Sequence, residues 1–261
     1  MTQVTDASRL LREVEHFDAV YREQLAAGIE PLSAFDRARY TSPPAGTIYP
    51  REYYFHLLGP LANKRVLEIA CGNGIDASIA AYNGAQVFAY DICPRAVELT
   101  RRRAQVNGVA DRVHTQVCGE VDEAFAGETF DAIMGYATLH HLPLEGLAER
   151  ICARLRPGGM AVFAEPVINS RTLDRVRRLI PYRIDPVSDD EQPLTDADIA
   201  AFARPFDRLV RREFQMLSRI WRIWPNNWPL TVALHWLDRQ LLRLPPLRRF
   251  ASVVVFAVYR D

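Results

Sequence analysis

The sequence predicts an α/β protein with a mainly parallel sheet that carries helices on both faces. From residue 65 onward, short apolar segments alternate with helical segments, and a glycine-bearing turn at 71–74 joins the first strand to the first helix of this series. Strands that alternate with helices are joined by right-handed parallel crossovers, which produces a doubly wound sheet. The 261 residues are enough for one such domain with a helical appendage.

Five strands and three helices are predicted between residues 65 and 165. The apolar segments predict strands at 65–70, 86–91, 112–118, 130–135 and 160–165, and the helical periodicity predicts helices at 75–82, 94–105 and 144–155. Pro94 stands in the first turn of the second helix, where its missing N–H costs no hydrogen bond. The third helix should stop at the Pro157-Gly158-Gly159 sequence.

The flanking regions are less regular. A helix is predicted for residues 1–30, whereas residues 31–50 show no single periodicity and contain a loop at 42–46. The segment 1–50 is therefore interpreted as a helical cap. Helices are expected at 171–180 and at 195–203, the latter with Thr195 as N-cap, and strands at 206–217 and 251–259. The main domain is therefore expected to comprise 51–218 and 250–261, with a helical lid at 219–249.

Composition excludes several functional classes. Thirty-two basic and 32 acidic residues give a net charge of zero, which argues against electrostatic binding of nucleic acid. Lys64 is the single lysine, so a Schiff-base mechanism would depend on it alone. None of the four cysteines forms a C-x-x-C pair, and no apolar run is long enough to span a membrane. We expect a cytoplasmic protein that acts on a small molecule, with homo-oligomers left open.

The turn after the first strand is the strongest functional signal. Gly72 and Gly74 lie between a strand and a helix, where a ligand can approach the backbone and meet amide groups at the helix N-terminus. Asp91 ends the next strand, where a carboxylate can accept hydrogen bonds from both hydroxyls of a ribose. Because Gly72-x-Gly74-x-x-Ala77 also fits a lenient dinucleotide pattern, the residues alone leave two classes of cofactor open.

Several motifs, taken together, resemble class I S-adenosylmethionine-dependent methyltransferases. The similar segments are Val66-Leu67-Glu68-Ile69-Ala70-Cys71-Gly72-Asn73-Gly74, Asp91, Gly119-Glu120, Phe130-Asp131-Ala132-Ile133, Leu139-His140-His141-Leu142 and Leu155-Arg156-Pro157-Gly158-Gly159. Ala70 replaces the first glycine that is usual in the family. The resemblance implies a Rossmann-like, seven-stranded sheet with an antiparallel last strand, and S-adenosylmethionine as the methyl donor.

The motifs and the chemistry of such a cofactor together give the residues expected to bind it: Glu68, Ala70, Gly72, Gly74, Asp91, Ile92, Glu120, Tyr136 and Tyr21. Several of these assignments have alternatives. Glu68 could hold loop amides instead of the ligand, and Glu120 could be a solvated loop acid. Tyr21 and Tyr136, like Tyr49, could offer aromatic faces to the cationic sulfonium or could simply pack in the core.

Methyl transfer implies an in-line displacement in which the enzyme mainly aligns the reactants and excludes water. A base is needed only if the acceptor must lose a proton, and the candidates are Glu165 and then His140. His140 could equally be a packed histidine, and Glu165 could cap a loop. No metal site is predicted, because the adjacent His140 and His141 would point apart.

The acceptor is expected to be small and largely apolar. All four tryptophans lie in 221–236, and leucines recur at helical spacing from Leu230 to Leu244, which is compatible with a packed lid, an acceptor pocket or a membrane-surface helix. After the fourth strand, residues 135–138 read Gly-Tyr-Ala-Thr instead of the Asn-Pro-Pro-Tyr type, so methylation of a flipped nucleic-acid base is not expected. Two alternatives remain, namely a nicotinamide-dependent oxidoreductase and a non-catalytic partner protein with the same fold.

Overall fold

The computed structural model describes residues 3–170, 193–222 and 228–261, and the strands within these ranges form a seven-stranded sheet. The strands are β1 (Arg65–Ile69), β2 (Gln86–Asp91), β3 (Val113–Val117), β4 (Phe130–Tyr136), β5 (Leu155–Pro166), β6 (Arg208–Phe214) and β7 (Val253–Arg260). Their order is β3-β2-β1-β4-β5-β7-β6, with β1 to β5 mutually parallel and β7 antiparallel to both of its neighbours. The predicted sheet with an antiparallel last strand is confirmed.

Helices surround the sheet, as the alternating pattern predicted. They are α1 (Gln3–Ala27), α2 (Ala34–Thr41), α3 (Pro50–Leu58), α4 (Ile75–Tyr82), α5 (Pro94–Val106), α6 (Leu147–Arg154), α7 (Asp196–Phe202), α8 (Trp228–Leu241) and α9 (Pro245–Arg248). The predicted N-cap of α7 is confirmed, because Thr195 and Asp198 form a reciprocal capping box. The helix predicted at 171–180 lies outside the described residues.

Two buried apolar layers lie on opposite faces of the sheet, because successive side chains of a strand point in opposite directions. On one face, Val66 of β1 packs with residues of α3 and α4, including the fully buried Tyr54. On the other face, Leu67 of β1 packs with residues of α6 and α7, including Phe202. This arrangement is the doubly wound architecture that the sequence predicted.

Three regions differ from the sequence prediction. The mixed segment 31–50 contains α2, which begins where the Ser33 hydroxyl accepts a hydrogen bond from the Asp36 amide at 3.0 Å. Helix α3 begins at Pro50, across the expected domain boundary. The helix predicted at 144–155 ends earlier, at Arg154, because Leu155 is already extended (ψ 142°). Arg156, directly before Pro157, also favours the extended conformation, so Pro157-Gly158-Gly159 belong to β5.

The lid segment contains the predicted helix, α8, but the leucine-rich side is not the side that packs. The buried residues of α8 are His235 and Asp238, whereas Trp236 and Leu237 are 59% and 42% exposed. A polar reason explains this orientation: the Asp238 carboxylate accepts hydrogen bonds from the amides of residues 216–218 at 2.7–3.0 Å. These bonds fix α8 through its polar side.

Candidate active site

The glycine-bearing turn follows β1 at the carboxyl edge of the sheet, and its backbone is left-handed at three positions. Ala70, Gly72 and Gly74 have φ values of 51°, 51° and 73°. A side chain at Gly74 would place its Cβ 2.5 Å from the Thr100 Cα, so α4 can approach α5 only with glycine here. Ala70 itself has a left-handed backbone, which a single alanine tolerates at a cost of about 1–2 kcal/mol.

Asp91 lies at the end of β2 beside this turn and is 7% exposed. Its Oδ2 accepts a hydrogen bond from the Gly72 amide at 3.0 Å, and its Oδ1 accepts one from the Cys93 amide at 2.8 Å. Burial raises the pKa of Asp91 above its usual value, and these amide contacts oppose the rise. The carboxylate is therefore fixed between the glycine turn and the start of α5, with lone pairs left for a ligand's hydroxyl groups.

Helix α1 covers the turn through Tyr21. The Tyr21 hydroxyl lies 3.0 Å from the point where a Cβ on Gly72 would stand, and the Tyr21 ring stacks on Phe17 with ring centres 6.0 Å apart. Burial, followed by the nearby Asp91 charge, raises the pKa of Tyr21. An ion pair of 2.6 Å between Asp18 and Arg95 joins α1 to α5. The structure thus brings Tyr21 together with Gly72 and Asp91.

Glu68 points into a second group of buried polar side chains on the α3 and α4 side of the turn. It is 4% exposed, and its Oε2 has no hydrogen-bond partner among the described residues. Burial raises the pKa of Glu68 well above its usual range, the neighbouring Asp76 raises it further, and Arg51 opposes the rise. A buried carboxylate oxygen without a partner is costly, so this position favours a cationic or hydrogen-donating ligand.

The charged neighbours of Glu68, Arg51 and Asp76, were not identified from the sequence. Arg51, in the first turn of α3, lies 3.6 Å from Asp76 and 4.4 Å from the centre of the Tyr136 ring. Tyr136 also packs edge-to-face on Tyr54, with ring centres 5.7 Å apart. No local pattern marks Arg51, whereas Asp76 stands one residue into the helix that follows the glycine turn and could have been found from that position.

Glu165 and His140 form a buried pair where β4 and β5 end. The His140 Nδ1 lies 2.8 Å from Glu165 Oε2, and Glu165 Oε1 accepts hydrogen bonds from the amides of Thr138 and Leu139 at 2.9 and 2.8 Å. Glu165 is fully buried, and the His140 residue is 6% exposed. Because the carboxylate only accepts, it holds the imidazole with the proton on Nδ1, which leaves the Nε2 lone pair as the basic site.

Two predicted cofactor residues lie farther along the same edge. Ile92 follows β2 and is 37% exposed, and its Cδ1 lies 3.3 Å from the point where a Cβ on Gly119 would stand. Glu120, after β3, is exposed and pairs with Arg150 at 2.7 Å. Tyr49 lies elsewhere, with its ring 5.1 Å from His235 of α8. Among the described residues, no group of three His, Cys, Asp or Glu side chains could hold a metal ion.

No helix in the described part of the chain is both long and apolar enough to cross a membrane.

The sequence is similar to known methyltransferases. Residues 22–207 match the family described as "Methyltransferase domain". A ubiquinone biosynthesis O-methyltransferase from Xanthomonas oryzae pv. oryzae (strain PXO99A) is 31% identical over 176 residues, which cover 62% of this chain and 70% of that protein. Across the curated relatives reported, the matched stretch spans from 30% to 73% of the relative's own length.

Two solved structures share the fold at low sequence identity. The geranyl diphosphate C-methyltransferase from Streptomyces coelicolor A3(2) superposes with a TM-score of 0.57 at 15% identity, covering 90% of each chain. The magnesium protoporphyrin IX methyltransferase from Synechocystis PCC 6803 gives 0.56 at 12% identity, covering 97% of this chain and all of that one. These comparisons confirm the predicted family and give no support to the oxidoreductase or the non-catalytic alternative. Since the match at 22–207 spans well over half of the 261 residues, the chain belongs to the methyltransferase domain family.

Proposed function

We propose that this protein transfers the methyl group of S-adenosylmethionine to a small, largely apolar acceptor. The arrangement of Asp91 against the glycine turn is the observation that carries this proposal. A carboxylate that is already fixed by two backbone amides loses little further freedom when it accepts the two hydroxyls of a ribose. The bound cofactor would supply an activated methyl group on a sulfonium.

The other residues at this edge fit the remaining parts of the same cofactor. The unpartnered Oε2 of Glu68 suits the ammonium group of a methionyl moiety. Tyr21, whose hydroxyl end lies against Gly72, would place an aromatic ring near a cationic donor and shield the turn from water. Ile92 and Glu120, which lie beside the ends of β2 and β3, remain to contact the adenine ring of the cofactor.

We assign the role of base to His140 and that of positioning residue to Glu165, which reverses the order expected from the sequence. Both oxygens of Glu165 are engaged, one by two amides and the other by the imidazole. His140 Nε2 is therefore the site that can take a proton from a hydroxyl or carbon acceptor as the methyl group is transferred. An acceptor that needs no deprotonation would use only the alignment that the site provides.

The acceptor class is supported by the similar proteins, which are methyltransferases of ubiquinone biosynthesis, of geranyl diphosphate and of magnesium protoporphyrin IX. The three compounds named are small organic molecules with a large apolar part. For this chain we propose an acceptor of the same kind, methylated on oxygen, carbon or nitrogen, and we propose that nucleic acids are not substrates.

Calorimetric titration with S-adenosylhomocysteine tests the proposal directly. We expect one site per chain, and we expect Asp91→Asn to weaken binding by about 10- to 100-fold, because a charge-assisted hydrogen bond contributes about 1.5–3 kcal/mol. Asp111→Asn, an exposed change of the same chemistry, should leave the affinity unchanged. Binding of NAD in place of S-adenosylhomocysteine, or equal affinity in Asp91→Asn, would contradict the proposal.

A labelled-methyl assay then tests the acceptor class. Phenols, quinols and isoprenoid compounds should include at least one acceptor, and reaction with peptides or nucleic acids alone would refute the assignment.

A further inference from the structure

A cavity of about 230 Å³ lies beyond β5, between the end of β6 and helix α8. Strand β6 runs parallel to β5, because both are antiparallel to β7: Val253 pairs with Phe214 of β6 and with Pro166 of β5. The carboxyl end of β6 is therefore at the same edge of the sheet as the end of β5, where Glu165 lies. The cavity opens on the edge that carries the candidate active site.

Arginine dominates the lining of this cavity, which we call the arginine cavity; its five arginines are Arg211, Arg212, Arg239, Arg243 and Arg248. The two acidic side chains in the lining, Glu213 and Asp238, are already engaged. Glu213 pairs with Arg211 at 2.7 Å and lies 3.8 Å from Arg248, and Asp238 accepts three backbone amides. Among the side chains that the structure describes, which exclude those of residues 1–13, 171–192 and 221–227, none that is acidic lies within 4.0 Å of the Arg212, Arg239 or Arg243 guanidinium.

Arg212 is held in place by aromatic rings and backbone carbonyl oxygens. Its guanidinium lies 4.0 Å from the centre of the Tyr53 ring and 4.3 Å from that of Phe214, and it donates hydrogen bonds to the carbonyl oxygens of Ala45 and Thr47. Burial lowers the pKa of Arg212 to about 10, and the charges of Arg239 and Arg243 contribute to the decrease. Three cations thus face one small cavity and repel one another, an arrangement that a bound anion would relieve.

We propose that the arginine cavity binds an anionic group of the acceptor, a carboxylate or a phosphate ester, through Arg239 and Arg243 with Arg212 behind them. This inference rests on the methyltransferase function proposed above. Arginine forks match carboxylate and phosphate oxygens in a bidentate manner. Because β5 and β6 are two strand spacings apart, about 10 Å, the acceptor's acidic group would lie on the order of 10 Å from the pair of Glu165 and His140 at the end of β5. The acceptor is then an amphiphile, with an acidic end and an apolar body.

Calorimetry with inorganic pyrophosphate as the probe tests the site without knowledge of the acceptor. We expect binding to the wild-type protein and a loss of more than about tenfold in affinity in the R239Q/R243Q variant, because hydrogen bonds to charged groups are lost. Arg249→Gln removes the same charge from an exposed position outside the cavity lining and should change nothing. Absence of pyrophosphate binding, or equal binding by R239Q/R243Q, would overturn the proposal.

Two further measurements separate this proposal from the proposed function. The affinity for S-adenosylhomocysteine should be the same in R239Q/R243Q and in the wild-type protein. If neither protein binds S-adenosylhomocysteine, that result counts against the methyltransferase function and not against the arginine cavity. For any acceptor that is methylated, the acid should be preferred to its neutral amide by at least about tenfold, and pyrophosphate should compete with it. Equal use of acid and amide, or inhibition that is not competitive, would show that the cavity holds a separate anion.

Discussion

Substitutions of Glu165 test whether this residue acts on the reaction through His140. Its carboxylate accepts hydrogen bonds from the Thr138 and Leu139 amides and from His140 Nδ1, all at 2.8–2.9 Å and with no exposure to solvent. Glu165→Ala would leave three buried donors without partners. At about 1–3 kcal/mol for each, the free energy of unfolding should fall by about 3–9 kcal/mol, a large part of the 5–15 kcal/mol typical of a domain.

Glu165→Gln should behave differently, because glutamine keeps the volume and one carbonyl oxygen. The two amides can still donate to that oxygen, so the expected loss of stability is only about 1 kcal/mol. The new side-chain NH₂ group, however, must donate to His140 Nδ1, which requires the imidazole to carry its proton on Nε2. The base is then removed while the fold is kept, and kcat for an acceptor that must be deprotonated should fall by about 10²- to 10⁴-fold.

Nitrogen-15 NMR of the histidine rings measures the tautomer directly and needs no acceptor. We expect the Nδ1-protonated form of His140 in the wild-type protein and the Nε2-protonated form in Glu165→Gln, with urea denaturation giving the two stability changes. Glu128→Gln, at an exposed position paired with Arg65, should alter neither quantity. An identical tautomer in the wild-type protein and Glu165→Gln would refute the assignment of Glu165 as the residue that positions the base.

Two further substitutions address the glycine turn and its cover. Gly74→Ala should destabilise the protein by about 2–4 kcal/mol, as measured by urea denaturation. The reason is that a Cβ would lie 2.5 Å from the Thr100 Cα and that the residue has a left-handed φ of 73°. A loss of stability below about 1 kcal/mol would contradict this prediction. Tyr21→Ala should weaken the binding of S-adenosylhomocysteine by about tenfold in calorimetry. Tyr21→Phe keeps the ring and should bind nearly as tightly as the wild-type protein does. Equal affinities in all three proteins would show that α1 does not cover the cofactor.

The parts of the fold that depend on local sequence were predictable. Strand β1, the glycine turn and α4 follow from a short apolar run, two glycines and a helical segment, and the structure has α4 at the predicted residues. The position of Asp91 was likewise predictable, because the end of a strand is set by local sequence and not by a distant partner. Such features need only the periodicity and the backbone preferences of neighbouring residues.

Pairings between distant residues were not predictable in the same way. Glu165 meets His140 because β4 and β5 are adjacent and end together, and nothing in the sequence showed which of the two would keep a basic site. The packed side of α8 could not be read from the leucine pattern, because the hydrogen bonds from three amides at 216–218 orient Asp238 toward the protein. Arg51 reaches Asp76 and Tyr136 only once α3 packs beside the sheet.

Glu68 offers a test in which stability and affinity should change in opposite directions. Burial raises its pKa well above the unfolded value of about 4.3, so the fold gains from the neutral form and loses stability as pH rises from that value through the folded pKa. Glu68→Gln removes this titration. The free energy of unfolding of the variant should therefore fall less between about pH 5 and about pH 8 than that of the wild-type protein. S-adenosylhomocysteine should bind the variant about tenfold or more weakly, because an amide cannot ionise to give the ammonium a charged partner, as the Glu68 carboxyl can. If Glu68 served only to hold loop amides, the variant would be less stable at both pH values and its affinity for S-adenosylhomocysteine would be unchanged.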